Sequence, residues 1–174
     1  MTRGRITKIL IGINLLVFLA QLASNDNVTA LLALQPQTVF FEPWTILTSG
    51  FAHRDPLHLL LNMYSLWIFG EAIEEFVGQK RFLSLYLLSI VGGSIAFILF
   101  DAGSVVGASG GIFGLMGAYF IIIRAMGFRS SQMLVLIVIN VFLGFTSPGI
   151  AISAHIGGLI AGAAIAWYYT LRRR

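Results

Sequence analysis

The sequence predicts an all-α, multi-pass membrane protein. Hydrophobic residues make up 57% of the 174-residue chain and charged residues only 10%, and the apolar residues gather in long runs. A soluble domain contains about 25% charged residues. This composition leaves too little polar surface for water, so the bilayer is the expected solvent. The chain has no cysteine, so it has neither a disulfide framework nor thiolate chemistry.

Six apolar segments predict membrane helices. A full crossing of the hydrocarbon core, about 30 Å thick, needs about 20 residues. The fourth and fifth segments are short of that length by several residues. Together the segments predict one membrane domain over residues 1–174, with spans at about 6–23, 57–77, 82–100, 109–123, 132–145 and 151–170.

Lysine and arginine fall almost entirely on one side of these spans. Only Arg54 among the 11 lies on the other side. The positive-inside rule therefore places both termini in the cytoplasm, and we expect an integral protein of the plasma membrane. Because the basic residues fall in short groups between apolar runs, they do not form a phosphate-binding face, and we expect no nucleic acid partner.

The first segment could also be a secretory signal, because a basic start and an apolar core lead to Leu22, Ala23 and Ser24. The run is long for a signal core, and its removal would leave an odd number of spans. We therefore expect a membrane helix here.

The longest connection, residues 24–56, is expected on the external side. It contains a cluster of large apolar residues, Val39, Phe40, Phe41 and Trp44. Such residues between polar neighbours are typical of a segment that lies in the membrane interface.

Four of the polar side chains inside the predicted spans call for a functional account: His58, Asn62, Ser109 and His155. At 1.5 Å per residue, Ser109, Asn62 and His155 lie about 21–22 Å from the cytoplasmic ends of their helices, and His58 lies one turn higher. Three helices would thus deliver four polar groups to one layer. The fourth helix would begin inside the membrane, which predicts a water-accessible cavity open to the external side.

This layer contains the components of nucleophilic catalysis. A serine at a helix N-terminus lies near free backbone N–H groups and the positive end of the helix dipole, which suit an oxyanion. An imidazole on another helix could take the serine proton and return it to the leaving group. His58 and Asn62, four residues apart, share one helical face and can both donate hydrogen bonds to negative charge.

Each of these residues also has a purely structural interpretation. Glycines around Ser109, and Gly158 with Gly162, are typical of close helix packing. A single membrane histidine or asparagine is typical of a hydrogen bond between helices. The convergence of four polar groups at one depth favours catalysis, with the glycines bringing Ser109 close to His155.

Other polar residues carry no predicted chemistry. We expect His53, which lies just before Pro56, in a loop near the rim. We expect the glutamates near the cytoplasmic end of the second span to lie in the interface or to bond to neighbouring helices: Glu71, Glu74 and Glu75.

The motifs resemble those of the rhomboid family of intramembrane serine proteases over nearly the whole chain. The family's GxSG motif matches residues 107–110, and its AHxxGxxxG motif matches residues 154–162. The HxxxN pattern matches His58 and Asn62, with His53 five residues earlier as in many members. The pattern GxxxExxxG, which ends the second helix in the family, matches residues 70–78. The motifs are specific in this combination and order.

The resemblance implies a bundle of six transmembrane helices with a short central fourth helix. It implies a Ser–His dyad in which Ser109 attacks the scissile carbonyl and His155 acts as general base and then as general acid. The oxyanion would be held by the side chains of His58 and Asn62 and by the backbone N–H of Ser109. Phe113 matches an aromatic position beside the catalytic histidine. The other motif positions would line or pack the site: Gly107, Ala108, Gly110, Gly158 and Gly162.

One position departs from the family pattern. The first loop usually carries a Trp-Arg pair, and here Trp44 is followed by Thr45. The arginine helps to organise that loop, so the sequence leaves open how this loop is anchored and whether substrate gating changes.

The predicted function is that of a serine endopeptidase that hydrolyses a peptide bond in or near a transmembrane segment of another protein. It would need no metal or cofactor, and its partners would be transmembrane substrates and the lipid bilayer. One alternative is a non-proteolytic rhomboid-like binder of transmembrane helices, although such relatives typically lack the serine or the histidine. Another is a small transporter, which would need more polar residues along a pathway than the spans supply. The sequence identifies neither the substrate nor the oligomeric state.

Overall fold

The computed structural model describes residues 3–146 and 150–171. Apart from an isolated bridge between Leu34 and Val105, the regular structure of these residues is helical, which confirms the predicted all-α class. The arginines at 172–174, used in the orientation prediction, lie outside the described residues. The α-helices of the described part are α1 (Arg5–Ala23), α2 (Asn27–Leu32), α3 (Thr45–Thr48), α4 (Pro56–Val77), α5 (Gln79–Phe100), α6 (Ser109–Ala125), α7 (Ser131–Thr146) and α8 (Ile152–Leu171).

Three helices in the described ranges are long and apolar enough to cross a bilayer: α1, α5 and α8. The apolar helices α6 and α7 are shorter, with 17 and 16 residues. The 22 residues of α4 include three glutamates near its C-terminal end. Several such helices in one chain make this a multi-pass membrane protein.

Helix α6 lies at the centre of the bundle. Residues 110–118 are all buried, and the helix contacts α4, α5, α7 and α8. Its glycines allow this packing because the backbone of α6 touches the backbone of α8. A methyl group at Gly158 would overlap the carbonyl oxygen of Gly110, and one at Gly162 would overlap that of Gly114. This small-residue seam brings the two helices into direct backbone contact.

The substitution Gly162→Ala is expected to lower the free energy of unfolding by roughly 1–3 kcal/mol, because the added methyl group forces α8 away from α6. Gly12→Ala on α1 is the matched control, since an added methyl group there meets no atom within 4 Å. It should leave stability unchanged or slightly raised. Unfolding in mixed detergent micelles measures both variants, and equal effects would contradict the packing account.

Glu74, near the end of α4, is buried and holds the start of α1. Its carboxylate accepts hydrogen bonds from the backbone N–H groups of Ile6 and Thr7, both at 2.9 Å, and from the Thr7 hydroxyl at 2.8 Å. The first N–H groups of a helix have no acceptor within the helix and favour negative charge nearby. The expected bond to a neighbouring helix is confirmed for Glu74. The other two glutamates form ion pairs, Glu71 with Lys8 and Glu75 with Arg3, each at 3.3 Å.

The segment between α2 and α4 is anchored without the arginine of the family pattern. Thr45 is fully buried, and its hydroxyl donates a hydrogen bond to the carbonyl oxygen of Glu42 at 2.6 Å. The hydroxyl of Ser94 on α5 donates to the carbonyl oxygen of Ile46 at 2.7 Å. The first bond holds a turn within the segment, and the second attaches the segment to the bundle.

The aromatic cluster in this segment points largely outward. Phe40 and Phe41 are 91% and 83% exposed and Trp44 is 46% exposed, whereas Val39 is buried. Their placement in the membrane interface stays a prediction.

Candidate active site

A cavity of about 380 Å³ lies at the end of the bundle where α4, α6 and α8 begin. The four polar residues singled out from the sequence all line it: His58, Asn62, Ser109 and His155. The rest of the wall is largely apolar, with side chains such as Leu57, Ile112, Phe113 and Met116. The sequence predicts these four groups at one depth, and the fold brings them together in one cavity.

Ser109 and His155 form a hydrogen-bonded pair across the α6–α8 seam. Ser109 is the first residue of α6, and its Oγ lies 2.8 Å from Nε2 of His155, the fourth residue of α8. The ring of Phe113 stacks on the imidazole with centroids 4.2 Å apart and planes inclined by 14°. The stacking fixes the plane of the imidazole, so Nε2 stays directed at the serine. A proton on Oγ can pass directly to Nε2 in this arrangement.

The other ring nitrogen of the histidine is buried against the bundle. Within residues 3–146 and 150–171, Nδ1 of His155 has no hydrogen-bond partner, so no carboxylate of these residues completes a triad. The orientation of α8 is held instead near its start, where the Ser153 hydroxyl donates to the carboxylate of Asp101 at the end of α5. The Ser109–His155 pair is thus positioned by packing and by this bond.

The chain enters α6 through a conformation that suits glycine. Gly107 has φ +138°, which L side chains rarely adopt, and its N–H donates to the carbonyl oxygen of Ser49 at 2.9 Å. Ala108 is the N-cap residue, and no side chain caps the helix. The first N–H groups of α6 therefore stay available beside the Ser109 hydroxyl, at the positive end of the helix dipole.

His58 lies in the first turn of α4, which begins with a well-defined cap. The Asp55 carboxylate accepts the backbone N–H of His58 at 2.8 Å, and Pro56 occupies the first helical position. This hydrogen bond is the main reason that the pKa of Asp55 is lowered. One turn on, Asn62 Nδ2 donates to the backbone carbonyl oxygen of His58 at 2.8 Å, which fixes the Asn62 side chain on the helical face that carries His58.

The imidazole of His58 is oriented toward Ser109. Its Nδ1 accepts a hydrogen bond from the backbone N–H of Arg54 at 3.4 Å, which places the proton of the neutral ring on Nε2. A methyl group built on Gly107 would lie 3.0 Å from this Nε2 and 3.6 Å from Ser109 Oγ. His58 Nε2 and Ser109 Oγ therefore border the same small space, where Nε2–H is a possible hydrogen-bond donor.

The sequence predicts His53 in a loop near the rim, and the structure shows that its side chain is buried. It is 1% exposed, and burial lowers its pKa to about 4. Its ring meets the ring of His58 edge-on, with centroids 5.2 Å apart. The residue does lie in a loop, but the side chain of Gln21 on α1 pairs with its backbone and holds that loop against the bundle. His53 thus packs behind a wall of the cavity and stays neutral.

The burial of His53 predicts a pH dependence of stability. Unfolded protein binds a proton at this residue below its ordinary pKa of 6.5, whereas folded protein does so only below about 4. The free energy of unfolding should therefore fall as pH is lowered through this window, by up to roughly 3 kcal/mol. Removing the imidazole in His53→Leu should flatten this slope. Unfolding of parent and variant across that window measures the difference, and identical slopes would contradict it.

Two other polar residues that line the cavity from within a helix were missed from the sequence: Ser65 on α4 and Asn140 on α7. Asn140 interrupts an apolar run, which is a signal that could have identified it. Its Nδ2 donates to the carbonyl oxygen of Leu136 one turn earlier, at 2.9 Å. Ser65 carries no such signal, because serine is common in membrane helices.

A serine hydroxyl in hydrogen-bond contact with an imidazole, within a bundle of apolar helices, is the arrangement that nucleophilic catalysis in a membrane needs. The chain belongs to the rhomboid family. The family model of the rhomboid domain matches residues 41–172, which include every residue of the site described above.

Similar proteins carry the same family name. The chain is 40% identical over 126 residues to Rhomboid protease GluP of Bacillus subtilis, covering 70% of this chain and 25% of that protein. It is 37% identical over 129 residues to RHOMBOID-like protein 6, mitochondrial, of Arabidopsis thaliana, covering 70% and 42%. Against Rhomboid protein 1, mitochondrial, of Saccharomyces cerevisiae, it is 29% identical over 169 residues, covering 91% and 45%. The chain thus spans less than half the length of each of these three relatives.

Proposed function

We propose that this chain is an intramembrane serine endopeptidase that cleaves transmembrane segments of other membrane proteins with a Ser109–His155 dyad. The observation that carries the proposal is the 2.8 Å contact between Ser109 Oγ and His155 Nε2, at the start of a central helix and inside a cavity. Membership of a family whose members include named proteases supports it.

The dyad accounts for both halves of peptide-bond hydrolysis. His155 Nε2 takes the Ser109 proton as Oγ attacks the scissile carbonyl carbon, and it then gives that proton to the leaving amine. The acyl group stays on Ser109. His155 next removes a proton from water, the resulting hydroxide attacks the acyl carbon, and the proton returns to Ser109 Oγ. Every step moves one proton through the same nitrogen, and no step calls for a metal or cofactor.

The negative oxygen formed by each attack needs hydrogen-bond donors beside the serine. We assign this role to the backbone N–H of Ser109, to His58 Nε2–H and to the Asn62 amide. The Arg54 N–H bond to His58 Nδ1 and the Asn62 bond to the His58 carbonyl oxygen fix the two side chains before substrate binds. Fixed donors in a site of low dielectric stabilise a transition state more than they stabilise the neutral carbonyl.

A transmembrane helix offers no free carbonyl to such a site, because its backbone groups are hydrogen-bonded within the helix. The substrate segment must therefore unwind locally before cleavage. The cavity wall combines apolar side chains with polar groups at Asn62, Ser65 and Asn140. Polar groups at this depth can accept or donate the hydrogen bonds that an unwound segment loses.

In the proposed membrane arrangement, six helices cross or enter the bilayer as one domain: α1, α4, α5, α6, α7 and α8. The basic residues at the opposite end of the bundle from the cavity support cytoplasmic termini and a cavity open to the external face. We place the protein in the plasma membrane. Residues 107, 108, 110, 113, 158 and 162 would line or pack the site.

Purified protein in liposomes with a single-span substrate tests the proposal. We expect two products cut within or near the span, with a rate that a metal chelator leaves unchanged. Mass spectrometry of the products locates the cut. A substrate that is bound but stays intact would indicate a helix-binding protein, and solute flux without cleavage would indicate a transporter; either result contradicts the proposal.

A further inference from the structure

Gln21 lies in the last turn of α1, and its side-chain amide forms hydrogen bonds with residues outside that helix. It is 3% exposed. Its Nε2 donates to the carbonyl oxygen of His53 at 3.0 Å, and its Oε1 accepts the N–H of the same residue at 3.0 Å. The second Nε2 hydrogen goes to Thr29 Oγ1 at 2.8 Å. Because that hydroxyl donates onward to Asp26 at 3.2 Å, only this orientation of the amide satisfies every partner.

The two hydrogen bonds between the Gln21 side chain and the His53 backbone fix a segment that leads directly to His58. The two residues are 32 positions apart in sequence, so α1 restrains the loop that leads into α4. His53 is followed by Arg54, whose N–H donates to Nδ1 of His58. A fixed His53 backbone keeps the next N–H pointing at this nitrogen. Rotation of the intervening peptide would remove the donor.

The tautomer of the neutral His58 ring depends on the hydrogen bond from the Arg54 N–H. With Nδ1 accepting, the neutral imidazole carries its proton on Nε2 and can donate to an oxyanion. Without it, the other tautomer becomes accessible and presents a lone pair to negative charge. The edge-on His53 ring fixes the plane of the imidazole but does not choose between the tautomers.

We propose that Gln21 is a positioning residue of the active site, which sets the tautomer and direction of His58 through the backbone of His53 and Arg54. This inference rests on the proposed function, in which His58 stabilises the oxyanion. It gives α1, which contributes no residue to the cavity wall described above, a part in the rate of the chemical step.

The variant Gln21→Met keeps the length of the side chain and removes all three hydrogen bonds. We expect kcat to fall about tenfold with KM within about twofold, because a misdirected donor affects the transition state more than substrate binding. The chain has only 3 histidines, so ¹⁵N NMR of histidine-labelled protein in micelles resolves each ring. We expect the His58 signals to change from the Nε2–H form to a mixture of tautomers.

Asn14→Leu is the matched control on the same helix. Asn14 is also buried, and its amide donates to the carbonyl oxygen of Leu10 one turn earlier, not to the loop of His53, so kcat and the His58 spectrum should stay unchanged. If Gln21→Met does not fold, Thr29→Val tests the inference in its place. This substitution on the short helix α2 removes the hydroxyl that accepts one hydrogen bond from the Gln21 amide. It should lower kcat about threefold with the same spectral change.

If Gln21→Met keeps the parental kcat and the parental His58 spectrum, the inference is overturned and the proposed function stays intact. The same result in Thr29→Val overturns it where Gln21→Met does not fold. A lower kcat with an unchanged spectrum also overturns it, because the effect would then not pass through His58. Failure of the parent chain itself to cleave in a Ser109-dependent way overturns the proposed function, and the inference with it.

Discussion

Cleavage of a transmembrane substrate is expected to fall by about 10⁴-fold or more in Ser109→Ala, to the level of the background. Alanine keeps the first turn of α6 and removes only Oγ, the atom that forms the acyl bond. No other hydroxyl of the described cavity wall contacts the histidine, so no nearby group replaces it. Initial rates of product formation in liposomes, at equal amounts of folded protein, measure the loss.

Ser104→Ala is the matched control for the serine. Ser104 lines the same cavity but is exposed, in the loop before α6. Its replacement should leave the rate within about twofold of the parent, as for surface substitutions away from the reacting atoms. A Ser109→Ala protein that still cut at the parental rate would show that another group is the nucleophile.

His155→Ala should lower the rate nearly as far as loss of the serine does. Ser109 is a weak nucleophile while protonated, and in the described ranges the imidazole is the only base in hydrogen-bond contact with its Oγ. Since serine and histidine act as one unit, the double variant should be no slower than either single variant, within about threefold.

The rates of the three variants measure this non-additivity under one set of conditions. Circular dichroism and thermal unfolding show whether each variant remains folded. If the two single losses multiplied in the double variant, serine and histidine would be acting independently. That result would contradict a dyad.

The main elements of the site could be predicted because the bilayer fixes depth. In an apolar span, the number of residues from the end of the helix sets the height of a side chain. His58, Asn62, Ser109 and His155 fall at similar heights on that count, and the fold brings all four to one cavity. The close contact between α6 and α8 could also be predicted, since glycines at a four-residue spacing indicate close backbone contact.

The loops escaped prediction because their partners are distant in sequence. His53 was expected in a loop near the rim, but the sequence did not show that Gln21 on α1 holds its backbone or that its ring is buried. Nothing in the local sequence of either residue indicates that pairing. The anchor at Ile46 is similar, because its carbonyl oxygen accepts a hydrogen bond from Ser94 on α5, 48 residues away. Where polar groups pair by tertiary contact, periodicity and depth give no information.

A serine-directed fluorophosphonate tests the central claim most directly, because it reacts only with a hydroxyl that a neighbouring base has activated. We expect one covalent adduct per folded chain, with peptide mass spectrometry placing it on Ser109. The adduct should be absent from both Ser109→Ala and His155→Ala, and present at the parental level in Ser104→Ala. No adduct on the parent chain, or an adduct that persists without His155, would contradict a Ser109–His155 dyad in this protein.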